Sequence, residues 1–219
     1  FNIIDTPRDA AVDVRTLLYA LITTLCCFAV LFLIVPRLVK ERRDRGVIIQ
    51  CVARSNYAIF GIPLVNMMYP DADVSIAALM VAIVVPVFNV MSTIALMING
   101  SDQKPDAKRI LKGVVTNPLI IASLLGLAFN LLNIPLYADL KKTVTDLGKV
   151  ATPLSMVALG ASFSFTSAKT YRKQLLLGVS GKLIVSPLIM VTLGALLGFR
   201  AETLVPILIY FGAPTAVSS

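Results

Sequence analysis

The chain has 219 residues, of which 57% are hydrophobic and 15% are charged, and its mean hydropathy is +0.85. A soluble domain carries more charge and less apolar content, so this balance favours a membrane protein. The sequence contains no histidine, which excludes histidine metal sites and Ser–His or Cys–His catalysis. Its formal charge of +8 comes without a basic stripe interleaved with aromatic residues. We therefore expect no cofactor, no metal and no nucleic-acid partner.

Apolar stretches predict seven helical spans, because a membrane-crossing helix needs about 20 mostly apolar residues. In chain order they cover about 14–35, 47–68, 74–98, 110–132, 147–165, 175–199 and a stretch from about 203. Residues 135–149 predict either a short helix at the membrane surface or an ordinary polar loop. The sequence begins with Phe1 and stops inside an apolar run. We thus expect an all-α integral membrane protein with one domain over 1–219, incomplete at both ends.

Basic residues are concentrated in every second connecting loop. The loop between the first and second spans holds five of them, from Arg37 to Arg45, whereas the next loop holds Asp71 and Asp73 and no Lys or Arg. Cytoplasmic loops of membrane proteins are rich in Lys and Arg, so the loops after the first, third and fifth spans are predicted to be cytoplasmic. The second and seventh spans then cross the membrane in opposite directions.

The second and seventh spans contain the same pattern, FGIP at Phe60–Pro63 and FGAP at Phe211–Pro214. Proline removes a backbone donor, and glycine tolerates the non-helical backbone beside it. Unpaired backbone groups are costly in lipid, so such a break survives only inside protein or beside a wet cavity. Two breaks on oppositely directed helices predict an inverted-repeat transporter fold with two broken, crossing helices at its binding site. The simpler alternative is a pair of proline kinks.

The segments RSNYAIFGIPLVNMMYP, TNPLI, TPLSMVALGASF and FGAPTAVSS resemble the bacterial branch of the auxin efflux carrier family, whose fold is related to bile acid–sodium symporters. The resemblance implies ten helices in two inverted repeats, of which this chain would hold about helices three to nine. It implies that Pro63 and Pro214 are the crossover prolines. It also implies a moving transport bundle at 14–98 and 173–219, and a static scaffold at 110–165 through which two copies would form a homodimer. The implied substrates are small organic anions such as dicarboxylates.

Residues near the two interruptions are the candidate ligands of such a substrate. They are Asn56, Gly61, Pro63, Asn66, Asn89, Lys182, Gly212, Pro214 and Thr215. Asn56 would present an amide to a carboxylate, or else bond to a neighbouring helix. Lys182 lies well inside the sixth span, where it either attracts an anion or extends its amine to the cytoplasmic surface. Arg54 is nearer to that surface and is expected to extend to it, and Asn117–Pro118 is expected to shape the start of the fourth span.

No Asp or Glu lies inside any predicted span. Carriers coupled to sodium or protons usually place a carboxylate near the middle of the membrane, so this absence argues for an anionic substrate and against such coupling. The sequence thus predicts a multi-pass protein of the cell membrane that carries small organic anions by alternating access, and not an enzyme. The alternative is a non-transporting sensor that keeps a carrier-like fold.

Overall fold

The computed structural model describes residues 14–68, 75–100, 107–132 and 137–215, and within these ranges the chain forms helices and no strand. The helices are α1 (Val14–Leu38), α2 (Arg42–Ala53), α3 (Tyr57–Met68), α4 (Ser75–Asn99), α5 (Ala107–Val115), α6 (Pro118–Leu132), α7 (Ala138–Ser162), α8 (Phe165–Thr170), α9 (Arg172–Ser180), a π-helical segment (Gly181–Val185), α10 (Ser186–Leu196) and α11 (Ala201–Gly212).

Three of the described helical stretches are long and apolar enough to cross a bilayer. They are Val14–Leu38, Met80–Asn99 within α4, and Arg172–Leu196, which runs through α9, the π-helical segment and α10. A fourth is formed if α5 and α6 count as one span, bent by 55°. Each predicted span overlaps at least one helix, but the second is divided between α2 and α3, the fourth between α5 and α6, and the fifth runs past the end of α7. Within the described residues, the second, fifth and seventh predicted spans contain no single helix long and apolar enough to cross a bilayer. The all-α membrane fold is therefore confirmed.

The connection before the fifth span differs from both sequence-based alternatives. From Ala138 onward, its residues belong to α7, which continues without a break to Ser162. The stretch is therefore neither a separate surface helix nor a polar loop. Its charged side chains, among them Lys141 and Lys142, lower the mean hydropathy of α7, so that α7 does not stand among the candidate spans. A helix needs only backbone bonding, whereas a membrane span also needs apolar side chains.

The bend between α5 and α6 lies where the sequence predicts it. Asn117 accepts the N–H of Leu119 on its side-chain Oδ1 at 2.9 Å, and its carbonyl accepts the N–H groups of Ile120 and Ile121. Asparagine is a favourable residue before the first helical turn, and proline fits the first helical position because it lacks an N–H that would find no partner there. Asn117 and Pro118 thus begin α6 afresh after α5 ends.

The buried core is formed mainly by side chains from the N-terminal helices and from the last described helix. Its described side chains come from residues 17–95 and 199–211, and α5–α8 contribute none of them. At its centre is an aromatic cluster, in which Tyr210 stacks on Phe88 with ring centroids 5.6 Å apart and meets Tyr57 edge-on at 5.4 Å. The Tyr210 hydroxyl also bonds to the hydroxyl of Thr24. Side chains of α1, α3, α4 and α11 therefore meet at one point. That these helices move together as a transport bundle stays a prediction.

A glycine allows α2 and α4 to pack closely. A Cβ atom added at Gly46 would lie 2.9 Å from the carbonyl oxygen of Ala95 and 3.2 Å from the Cα of Leu96, both of them backbone atoms of α4. Backbone atoms cannot turn aside as the end of a flexible side chain can. Arg42 reinforces the same contact by donating to the carbonyl of Ile98 at 2.9 Å. The small residue on α2 thus sets the separation of the two helices.

We expect Gly46→Ala and Gly148→Ala to shift stability in opposite directions. Alanine at position 46 would push α2 from α4, and overpacking of this kind costs about 1–3 kcal/mol. At position 148 on α7 a Cβ meets nothing within 4 Å, so the higher helix propensity of alanine stabilises by about 0.5–1 kcal/mol. Thermal unfolding of the two purified variants in detergent measures both effects. Equal shifts would contradict the close α2–α4 contact.

Candidate functional site

The second predicted span is interrupted, but earlier than its proline indicates. α2 ends at Ala53 and α3 begins at Tyr57, so residues 54–56 form the break. α3 then passes through Pro63 without interruption. The expectation of a break at FGIP is therefore wrong in position. A proline removes a single N–H donor, and α3 is already established before it, because the Asn56 carbonyl accepts the N–H groups of Ile59 and Phe60.

The described part of the seventh span leaves the helix at FGAP, which is where the sequence predicts its interruption. α11 ends at Gly212, and Ala213 has an extended backbone with φ −63° and ψ 144°. Pro214 and Thr215 follow outside the helix. This break lies at the end of the described residues, so the second half of the seventh span is outside the part of the chain that the structure describes.

The two interruptions are hydrogen-bonded to one another. The main-chain N–H of Asn56 donates to the carbonyl oxygen of Pro214 at 2.8 Å. The hydroxyl of Thr215 donates to the carbonyl oxygen of Cys51, in the last turn of α2, at 2.6 Å. Backbone groups freed by each break therefore find partners at the other, which removes a cost of several kcal/mol for each group left unpaired in an apolar environment. We call the junction of residues 51–56 and 213–215 the crossover.

The structure places only some of the other sequence-predicted residues at the crossover. Pro63 is exposed within α3, and Gly212 ends α11 with open space where a side chain would stand. Gly61 is buried, and a Cβ there would lie 2.8 Å from ring atoms of Tyr57, so glycine makes room for that ring. The side chain of Asn66 is outside what the structure describes. A substrate-binding role for these residues stays a prediction.

Several buried polar atoms near the crossover have no hydrogen-bond partner among the described residues. They include the Oε1 of Gln50 in α2, the Oγ of Ser55 in the break, the Nζ of Lys182 and the Oγ of Ser186. Lys182 and Ser186 lie one helical turn apart, and the π-helical segment packs against both α2 and α11. Buried polar groups in folded proteins are nearly always hydrogen-bonded, so these exceptions make the surroundings of the crossover the leading candidate for contact with a polar ligand.

Lys182 is buried, with only 2% of its surface exposed. Its amine is not extended to the membrane surface, which was one of the two sequence-based alternatives. Its position beside the crossover follows from its neighbours: a Cβ at Gly181 would lie 2.9 Å from Val52, and the amine lies near enough to Cys27 and Cys51 for an electrostatic interaction with their thiols. Lys182 is thus a cation next to the end of α2.

The helix widens around Lys182 because of a nearby proline. Pro187 has no N–H to donate to the carbonyl four residues earlier, and its ring would clash with that carbonyl. The preceding turn, Gly181–Val185, accordingly adopts π-helical geometry. Single π-helical turns inside α-helices are frequent at functional sites. The sequence analysis identified Lys182 but gave no indication of this widened turn.

Arg54 is the residue that sequence reasoning misplaced. It is the first residue after α2 and is 8% exposed, instead of extending to the cytoplasmic surface. Its Nη2 donates to the Oδ1 of Asn89 on α4 at 3.2 Å. Asn89 in turn donates from its Nδ2 to the Oγ of Ser123 on α6 at 3.1 Å. Two features of the sequence could have indicated that Arg54 is buried. Arg54 lies within a predicted span, two residues before Asn56, and Asn89 in the middle of another span offers a hydrogen-bond acceptor.

Among the described residues, no three Cys, Asp or Glu side chains lie together as a metal site requires. A cavity of about 290 Å³ lies between α2 and α9, with Cys51 and Gly178 in its wall and Asp44 and Gln174 also lining it. Gln174 donates to Asp44 at 3.0 Å. Through Cys51, the wall of this cavity includes one residue of the crossover.

One of three comparisons with known proteins found a match. A family model described as "Membrane transport protein", which represents the auxin efflux carriers, matches residues 5–219. No similar protein was found among curated proteins, and none among solved structures. The match extends over almost all of the sequence and includes both sides of the crossover. The chain therefore belongs to the auxin efflux carrier family of membrane transport proteins.

Proposed function

We propose that this membrane transport protein is a secondary carrier of small organic anions in the cell membrane, and that the anion binds at the crossover. The observation that carries the proposal is a buried lysine amine, Lys182, without a hydrogen-bond partner among the described residues, next to two helix breaks that meet. A charge removed from water without a partner is strongly unfavourable. A bound carboxylate would supply that partner.

Electrostatics around the crossover favour a negative substrate. Lys182 and Arg54 are both buried on elements that border it. None of the predicted spans contains an Asp or Glu. Attraction between opposite charges is much stronger in a low-dielectric interior than in water. An organic anion would therefore gain more at this point than anywhere else along the described spans.

Main-chain geometry adds donors to these charges. The break at residues 54–56 places the first turn of α3 at the crossover, and the N-terminal end of a helix carries partial positive charge and unpaired N–H groups. Asn56 is 6% exposed and lies at this end, so that its amide is within the same region. A carboxylate at the crossover would meet the helix end, an amide and a lysine together.

The transport mechanism in this proposal is alternating access. The bundle formed by 14–98 and 173–219 would carry the crossover past a scaffold at 110–165, and the substrate class would include dicarboxylates such as malate and malonate. Support comes from the membership of the family and from the core, whose described side chains lie within those two bundle segments. Two states of similar free energy would then exchange around a substrate site built into one moving unit.

Substitution of Lys182 is expected to separate stability from binding. Lys182→Met removes an unpaired buried charge, so the ligand-free protein should unfold at a higher temperature. The same change removes the partner of the anion and should weaken malonate binding by more than about 100-fold, because breaking a buried charge pair costs about 3–5 kcal/mol. Isothermal titration and thermal unfolding of the full-length protein measure both. Lys149→Met is the control, since Lys149 is exposed on α7 and paired with Asp146. Unchanged malonate affinity in Lys182→Met would remove Lys182 from the site.

Uptake of labelled malonate or malate into proteoliposomes tests transport itself. The full-length protein should accumulate label, and Asn56→Ala should raise the concentration needed for half-maximal uptake about 10-fold or more, the effect of losing one hydrogen bond to a charged group. The variant keeps the main-chain bond from residue 56 to Pro214, so the crossover itself remains. Equal uptake would exclude the Asn56 amide as a ligand. Binding without uptake would indicate the sensor alternative.

A further inference from the structure

A continuous chain of side-chain hydrogen bonds runs from the crossover to α6. Arg54 donates to the Oδ1 of Asn89 at 3.2 Å, and the Nδ2 of Asn89 donates to the Oγ of Ser123 at 3.1 Å. All three side chains are buried, with 8%, 5% and 7% of their surfaces exposed. One asparagine amide therefore connects a cation at the helix break with a helix outside the core.

Donors and acceptors in this chain have fixed directions. The hydroxyl of Ser123 donates to the carbonyl of Leu119 at 2.7 Å, so its oxygen is free to accept from Asn89. The guanidinium of Arg54 can only donate, which assigns the oxygen of the Asn89 amide to Arg54 and the nitrogen to Ser123. The orientation of the amide is thus determined from both sides, and a change on one side affects the other.

A second bond joins the same two helices nearby. Asn117 donates from its Nδ2 to the Oγ of Thr93 at 3.0 Å, and Thr93 donates to the main-chain carbonyl of Asn89 at 2.7 Å. Positions 89 and 93 lie one turn apart on α4, so both bonds come from one face of that helix. Both side-chain hydrogen bonds between α4 and the start of α6 therefore involve Asn89, directly or through Thr93.

We propose that Asn89 is a positioning residue that links occupation of the crossover to the contact between α4 and α6; this proposal rests on the proposed anion carrier. Without an anion, Arg54 binds Asn89 and Asn89 holds Ser123. When a carboxylate reaches Arg54, it draws the guanidinium away from the amide, because a carboxylate can accept two parallel N–H bonds from a guanidinium and carries a full negative charge, whereas the amide oxygen of Asn89 is neutral and accepts one. The Asn89 amide then keeps only one of its two side-chain hydrogen bonds, so its orientation is less well fixed and its bond to Ser123 on α6 weakens.

Thermodynamic linkage predicts the direction in which anion affinity changes when the α4–α6 contact is weakened. If the anion weakens the α4–α6 contact, then weakening that contact must strengthen anion binding by the same factor. A residue with a merely structural role would give the opposite result or none, since damage to a helix contact does not improve a ligand site. The direction of the change in affinity therefore distinguishes the two roles.

The test is malonate binding to four variants of the full-length protein in nanodiscs. Ser123→Ala and Asn89→Ala remove the link, and each should lower the Kd for malonate about fivefold, near the lower end of typical couplings between sites. Asn89→Asp offers Arg54 a carboxylate within the protein and should raise the Kd by at least as much. Asn99→Ala is the matched control, because Asn99 is a buried asparagine on α4 that donates to the carbonyl of Ala95 in its own helix and takes no part in the chain of bonds. Its Kd should equal that of the wild type.

Hydrogen–deuterium exchange supplies a second readout on the unsubstituted protein. Malonate should increase exchange of backbone amides at residues 117–123, where α6 begins. Two results would overturn the role of Asn89 and leave the carrier proposal intact, provided that the wild type binds malonate. One is an unchanged Kd in both Ser123→Ala and Asn89→Ala. The other is unchanged exchange at residues 117–123 when malonate binds to the wild type. Failure of the wild type to bind or transport any organic anion would overturn both.

Discussion

The structure depends on one constraint: main-chain groups released from a helix within an apolar environment must find new partners. Each break in this chain resolves that problem through the other, since Asn56 donates to the Pro214 carbonyl and Thr215 to the Cys51 carbonyl. Neither break would be tolerable against lipid alone, where each unpaired group costs several kcal/mol. The crossing is therefore the condition under which both interruptions exist, and it fixes α3 and α11 against each other.

Several buried polar side chains lie beside the crossover, where main-chain groups are also released from their helices. Ser55, Lys182 and Ser186 are buried near the crossover with no hydrogen-bond partner among the described residues. Such groups reduce the stability of the ligand-free protein, and natural proteins keep them mainly where function requires them. The aromatic cluster around Tyr210 gives the opposite contribution, because it packs α1, α3, α4 and α11 together beside the crossover. Apolar packing thus stabilises the framework that holds the unsatisfied groups.

Local patterns in the sequence predicted what depends on nearby residues. The apolar spans, the start of α6 at Asn117–Pro118 and the break at FGAP all follow from residues within a turn or two of the feature. The position of the first break could not be predicted in this way. Pro63 is the only proline in the second predicted span, but the break depends on the carbonyl of Pro214, which comes from the other end of the chain. Arg54 was misplaced for the same reason, since its acceptor, Asn89, lies on another helix.

Neutral hydrogen bonds between α4 and α6 would suit the alternating access that we propose. Each typically contributes about 0.5–1.5 kcal/mol, which is comparable to the differences that separate the exchanging states of a carrier. A carboxylate in place of the Asn89 amide would hold Arg54 in a buried ion pair, and breaking such a pair costs about 3–5 kcal/mol. The lack of Asp and Glu in the predicted spans therefore has two consequences. In the carrier that we propose, it would leave no carboxylate within the predicted spans to compete with a substrate anion for Lys182, and it would keep the contact between α4 and α6 weak enough to be released.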